Sequence, residues 1–175
     1  MLEIDKEVIV HCLLVDPMQK QVQQKWRVFA LECNKAIVEE VDKLLASKLI
    51  REVYYPKWLA NVVMAKKSNG DWRMCVDFTN LNKTYLKDSF PLPRINQLVD
   101  VTTRHELLSF MDAFSGYNQI MMDEQDQEKI VFIVNQGLYY HKVMPFGLKN
   151  ASATYQRDWS VTCFMIRSNE TWRCI

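Results

Sequence analysis

Residues 58 to 78, "WLANVVMAKKSNGDWRMCVDF", leave the backbone little choice. Two β-prone runs stand on either side of Asn69-Gly70, the dipeptide that best accepts the positive φ values of a tight hairpin turn. The stretch therefore predicts an antiparallel pair with Lys66, Lys67 and Arg73 flanking the turn and Trp72 stiffening its base. Three cations on a flexible hairpin can reach one polyanion, and they can equally be solvated charges at a tip; residue type alone weighs the two evenly.

The remaining segments arrange themselves around this hairpin. In "ALECNKAIVEEVDKLLASKLI" the apolar positions Ile37, Val41, Leu44, Leu45 and Leu49 recur at helical spacing, with Glu39, Glu40, Asp42 and Lys43 on the other side. Before it, "HCLLVDPMQKQVQQKWRVFA" lacks a sustained period and reads as an extended arm. "DSFPLPRINQLVD" sets Pro91 and Pro93 ahead of a short helix, and "LLSFM" is a candidate buried strand. "KIVFIVNQGLYYHKVM" gives a second β pair about Gln136-Gly137, and "LKNASATYQR" a helix with Asn150 or Ser152 as its cap. This order of helices and hairpins argues for an α+β fold rather than a regular βαβ sheet. Three segments are expected: an arm at 1–29, a body at 30–157 and a tail at 158–175.

Composition bounds the function. With 49% hydrophobic residues in 175 the chain can bury a real core. Net charge is only +1, yet residues 48 to 104 hold ten Lys or Arg against five Asp or Glu, while the rest hold twelve against sixteen. Phosphate contacts are thereby permitted in one region without being required. The five cysteines form no CxxC pair, so reduced thiols in an intracellular protein are expected, with cytoplasm and nucleus left open. No apolar run approaches the ~20 residues of a membrane helix, and "MLEIDKEVIV" has acids where a signal peptide needs bases; no membrane association or export is expected. The absence of GxxxxGK, HExxH, GxSxG and GxGxxG weakens P-loop and hydrolase readings.

Asp112 directly follows the apolar "LLSFM" run, where a carboxylate can hold a divalent cation above a sheet. It can also simply cap the turn "DAFSGYN", and without further context the cap is the better reading. Asp77 after "RMCV" is read as structural, and the nine methionines, Met121 and Met122 included, as core filler.

Three blocks occur in one order: "WLANVVMAKKSNGDWRMCVDFTNLNK", "DSFPLPRINQLVD…HELLSFMDAFSGYNQI" and "YYHKVMPFGLKNASATYQR". Together they resemble the reverse transcriptases of gypsy-type plant LTR retrotransposons, from about residue 9 to Arg157. The resemblance implies a right-hand polymerase fold of which this chain supplies the fingers and part of the palm. It implies that Lys66 and Arg73 clamp the triphosphate of an incoming deoxynucleotide. Asp112 becomes the first metal-binding, catalytic aspartate, and the backbone of Ala113 and Phe114 faces the triphosphate. Tyr117 becomes a bulky gate against a ribose 2′-hydroxyl, its alternative being an ordinary core aromatic. Pro145, Phe146 and Gly147 become the strip beneath nucleotide and template, glycine allowing close approach.

The implied chemistry needs more than one carboxylate. Phosphoryl transfer to a primer 3′-hydroxyl charges the attacking and leaving oxygens, which two Mg²⁺ ions about 3.5–4 Å apart stabilise. The family draws its further carboxylates from a Tyr-x-Asp-Asp hairpin, a motif absent from these 175 residues. The resemblance therefore implies an RNA-directed DNA polymerase, acting on an RNA or DNA template-primer and deoxynucleotides, for a parent protein that adds the remaining palm, thumb and RNase H region. For this chain alone it implies lost or weak Mg²⁺ binding and no activity. A non-catalytic nucleic-acid-binding remnant and a functionless pseudogene product are the alternatives.

The chain departs from the family pattern at Met121, Ser152 and Trp26, and the likeness stops after Arg157. Read two nucleotides into the Asp158 codon, the tail must spell Leu across Asp158 and Trp159 and Asp across Met165 and Ile166. Permitted codons at the other positions spell a string close to the family segment that leads into Tyr-Val-Asp-Asp. Residues 158–175 are accordingly read as the product of a frameshift, with a divergent final helix as the alternative.

Overall fold

The computed structural model describes residues 4–91, 94, 96, 99–100 and 115–157. The expected "LLSFM" strand, Asp112, Ala113, Phe114 and the 158–175 tail lie outside the described residues.

Helix α1, Leu31–Ala46, buries Ile37 and Val41. Fully burying such side chains contributes about 1.5–3 kcal/mol each. Leu44 packs beside them, but Leu45 is 37% exposed and Leu49 lies beyond the helix. The helix stops because Lys48 takes a left-handed φ of 58°; Lys48 N–H then bonds to Leu45 O at 2.9 Å and Leu49 N–H to Leu44 O at 3.0 Å. That pairing is a Schellman closure with lysine where glycine is usual.

Five strands follow: β2 (Ile50–Glu52), β3 (Ala60–Lys66), β4 (Trp72–Val76), β6 (Val131–Val134) and β7 (Gly137–His141), in the sheet order β2-β7-β6-β3-β4. The expected hairpins β3–β4 and β6–β7 are both antiparallel, and a parallel β3–β6 pair joins them. The first turn differs in kind from the expectation. Gly70 N–H bonds to Lys67 O at 3.0 Å and only Gly70, at φ 92°, is left-handed. A three-residue loop with a glycine bulge replaces the two-residue turn in which both residues are left-handed. The second turn is displaced by one residue: Val134 pairs with Gly137, so Asn135 and Gln136 make the turn. This register buries Val131, Phe132 and Val134, and a one-residue slip would change every side chain's face.

The arm is built into the body. Its strand β1 (Val10–His11) pairs in parallel with β5 (Met121–Met122), and Leu13 and His11 are buried. Helix α2 (Thr79–Asn82) follows the first hairpin, and helix α3 (Glu124–Gln127) follows β5. The buried Asp126 on α3 accepts from Leu13 N–H at 2.6 Å and from Lys129 Nζ at 2.5 Å, which pins the arm. Residues 151–157 are helical and are called α4. Asn150 precedes α4, yet its side chain does not cap it; the carboxamide bonds instead to Leu86 O and Asp88 N–H.

Two apolar clusters result. One holds α1 against the sheet through Ile37, Val41, Val62 and Phe132; the other gathers Leu13, Trp58, Leu81, Ile120, Met144 and Leu148. Val76 packs against both and marks their junction. No described helix is long and apolar enough to cross a membrane.

Candidate functional site

The junction is where three segments remote in sequence converge. The chain reaches the first through Ser115, left-handed at φ 55°, and turns through a short 3-10 helix, Gly116–Gln119. Asn118 N–H closes this turn on Ser115 O at 2.9 Å. Tyr117 is thereby set against the second segment, its ring centroid 4.5 Å from that of Phe146 and tilted by 41°. From α4, the Tyr155 ring meets Tyr117 edge-on at 5.3 Å, and the Ser152 hydroxyl lies 3.4 Å from the Tyr117 hydroxyl. Ser152, one of the departures noted in the sequence, is therefore in contact with the candidate gate.

Phe146 is 67% exposed, an unusual position for a phenylalanine whose neighbours Val143, Met144 and Leu148 are buried. Gly147 beside it has φ 97°, and a Cβ there would lie 3.5 Å from Val76 O and 3.6 Å from the Phe78 ring. Backbone conformation, more than space, demands glycine. The strip thus lies against the foot of the β3–β4 hairpin.

Arg73 stands three residues along β4 from Val76, about 10 Å at strand rise. The register pairs Lys66 with Trp72 and Arg73 with Ala65. Directly paired residues share a face, so Lys66 projects with Trp72 and Met74 while Arg73 projects with Cys75 from the other side. Lys66 Nζ indeed lies 5.8 Å from the Trp72 ring. The hairpin brings its cations to one tip but not to one face. Reach to a common anion must come from the lysine's long, flexible stem.

Asp77 behaves as the structural residue expected of it. Its Oδ1 accepts from Thr79 N–H at 3.2 Å at the start of α2, and its Oδ2 pairs with Arg27 at 3.0 Å. The Thr79 hydrogen bond, helped by Arg27, holds its carboxyl below the usual aspartate range. Two histidines that no motif singles out are buried, His11 and His141. His11 Nδ1 lies 2.7 Å from Thr154 Oγ1, and His141 stacks 5.1 Å from Phe132. Burial depresses both to about 4, with Asp126 pulling His11 the other way.

Of the expected site residues, Tyr117, Phe146 and Gly147 are brought together, Lys66 and Arg73 stand further along the adjoining hairpin, and Asp112, Ala113 and Phe114 lie outside the described residues. Among the described residues, no three His, Cys, Asp or Glu side chains converge to hold a metal. These residues by themselves do not fit a metal pair. Sequence reading missed Asn82, whose side chain bonds to the backbone of both Gly147 and Lys149. No periodicity or motif marks such a contact.

Comparison with known proteins bears on this arrangement. Residues 64–171 match the family model "Reverse transcriptase (RNA-dependent DNA polymerase)", a range that extends into the 158–175 tail. The chain is 35% identical over 126 residues to the retrovirus-related Pol polyprotein from transposon 412 of Drosophila melanogaster, covering 69% of this chain and 10% of that protein. The equivalent polyprotein from transposon gypsy is 36% identical over 123 residues, covering 67% of this chain and 12% of the relative. The chain thus spans about a tenth of the length of these relatives. A crystal structure of prototype foamy virus protease-reverse transcriptase superposes with a TM-score of 0.76 at 18% identity, over 90% of this chain and 21% of that one, a likeness of fold.

Proposed function

This chain belongs to the reverse transcriptase family, and on that premise we propose that it forms the fingers and first part of the palm of an RNA-directed DNA polymerase from a gypsy-type plant LTR retrotransposon. The parent enzyme extends a primer 3′-hydroxyl with deoxynucleotides on an RNA or DNA template. Lys66 and Arg73 receive the triphosphate, and the family resemblance assigns Ala113 and Phe114 to the same group. Phe146 and Gly147 floor the site, and the Tyr117 ring fills the space a ribose 2′-hydroxyl would need. The observation that carries this reading is the packing of Tyr117 on Phe146 at the foot of the cationic hairpin. Three remote segments converge there, with an aromatic left exposed that core packing does not require.

Asp112 supplies one carboxylate toward Mg²⁺, which when bound would neutralise charge on the transferring phosphate. We propose that Asp112 alone binds the ion weakly and that these 175 residues, which contain no Tyr-x-Asp-Asp, do not polymerise by themselves. Primer extension on poly(rA)·oligo(dT) with dTTP and Mg²⁺ should give no product above a protein-free blank; clear incorporation by the purified chain overturns this. For the tail we retain the frameshift as a proposal, although a match reaching residue 171 suits the divergent-helix alternative better. The coding DNA decides it: codons that fail to spell the family string in the shifted frame rule the frameshift out.

A further inference from the structure

We propose that Asn82 is a positioning residue whose carboxamide sets the 146–149 strip at the height from which Phe146 and Gly147 meet a nucleotide, an inference that rests on the function proposed above. Asn82 is the last residue of α2. Its Nδ2 donates to Gly147 O at 2.8 Å, and its Oδ1 accepts from Lys149 N–H at 2.9 Å. These two backbone groups flank Leu148. One residue of a parallel strand engages its neighbour through the same pair of groups. A single side chain therefore takes the place of a strand along the strip.

The arrangement is reciprocated. Asn150, just beyond the strip, accepts from Asp88 N–H at 2.9 Å and donates to Leu86 O at 2.9 Å, the groups that flank Lys87. Two carboxamides thus stitch residues 82–88 to residues 147–150 in both directions. Tyr85 reinforces the first stitch: its hydroxyl donates to Asn82 Oδ1 at 2.6 Å and accepts from Lys149 N–H at 3.2 Å, and its ring lies 4.9 Å from Lys149 Nζ. The Lys149 ammonium also donates to Tyr85 O.

The chemistry at position 82 is demanding. Lys149 N–H can only donate and Gly147 O can only accept, so the residue must offer an acceptor and a donor on one short, planar group. Aspartate keeps the acceptor and loses the donor, and alanine loses both. The hold matters because Gly147 must stay left-handed against Val76 O while Leu148 is buried and Phe146 is turned out toward Tyr117.

The ¹⁵N-labelled 175-residue chain provides the test, by amide exchange and by chemical-shift titration with dTTP. In Asn82→Ala the Lys149 N–H keeps only its longer bond to the Tyr85 hydroxyl at 3.2 Å, and it should exchange about threefold faster or more while the urea transition persists. In Asn82→Asp the Lys149 amide should stay protected, while the resonances of Phe146, Gly147 and Tyr117 move. Unchanged exchange at Lys149 in Asn82→Ala overturns the inference. If that variant loses its cooperative urea transition, the near-isosteric Asn82→Asp decides: shifts confined to 146–149 and Tyr117 support the proposal, and their absence overturns it. The unsubstituted chain should show dTTP shifts at Phe146 and Tyr117, with affinity about threefold to tenfold weaker in Asn82→Asp. No dTTP shifts in the unsubstituted chain overturns the proposed function together with the nucleotide part of this inference. Equal dTTP affinity in the two proteins overturns the positioning role alone.

Discussion

Gly116 has no room for a side chain. A Cβ there would lie 2.5 Å from Cε2 of Tyr155, the ring that meets Tyr117 edge-on. The clashing atom sits on the outer part of a ring that can swing, so Gly116→Ala should displace Tyr155 rather than unfold the chain. A cost of about 1–3 kcal/mol is expected, toward the lower end, with altered near-ultraviolet circular dichroism as Tyr117 loses its neighbour. Gly70 supplies the contrast. Nothing lies within 4 Å of its would-be Cβ, but its φ is +92°. Gly70→Ala should therefore cost about 1 kcal/mol of backbone strain and leave the aromatic signal alone. Urea titrations read alongside the dichroism separate the two; equal aromatic changes in both variants would refute the packing argument.

At the scale of elements, α1 ends on a residue poorly suited to the task. Lys48 holds a left-handed conformation that costs an L-residue roughly 1–2 kcal/mol and that glycine adopts freely. Lys48→Gly should raise the stability of the chain by about 1 kcal/mol, seen as a higher urea midpoint at unchanged slope. A lower midpoint would mean that the lysine side chain contributes more than its backbone costs. The same terminus shows what the sequence could not reveal. "LLASKLI" carries an unbroken apolar period through Leu49, and nothing in it announces that Lys48 will turn out of the helix. Both hairpins were legible because strand period and turn residues are local signals, although the glycine bulge at Gly70 and the one-residue shift at Gly137 were not. The parallel β3–β6 pair joins residues some seventy positions apart, and no local pattern encodes it. For the site, Tyr117, Phe146 and Gly147 came from resemblance rather than from pattern, and Asn82 came from neither. A carboxamide bonded to backbone leaves no trace in composition or spacing.

For the molecule as a whole, the two buried histidines give stability a pH dependence. His11 ties β1 to α4 through Thr154, and His141 pairs with Ile50 where β7 meets β2, so the two lie in different apolar neighbourhoods of one fold. Each is depressed from 6.5 to about 4 when folded, chiefly by burial. Between those values the unfolded chain binds the protons that the folded chain refuses. Stability is therefore full well above pH 6.5 and falls as pH drops toward 4, most steeply in the middle of that window, where each histidine contributes roughly 1 kcal/mol per pH unit. Carboxyls that are lowered on folding, such as Asp77, add their loss only below this window. Between pH 6.5 and 5.5 the chain should lose about 2 kcal/mol in urea titrations, since each histidine is already half protonated in the unfolded chain at pH 6.5, and that is a large share of the total for a domain of this size. His141→Phe sets a neutral ring beside Phe132 and should halve the slope of stability against pH while leaving stability at pH 7.5 nearly unchanged. A slope that stays the same in His141→Phe would show that His141 takes up its proton without unfolding.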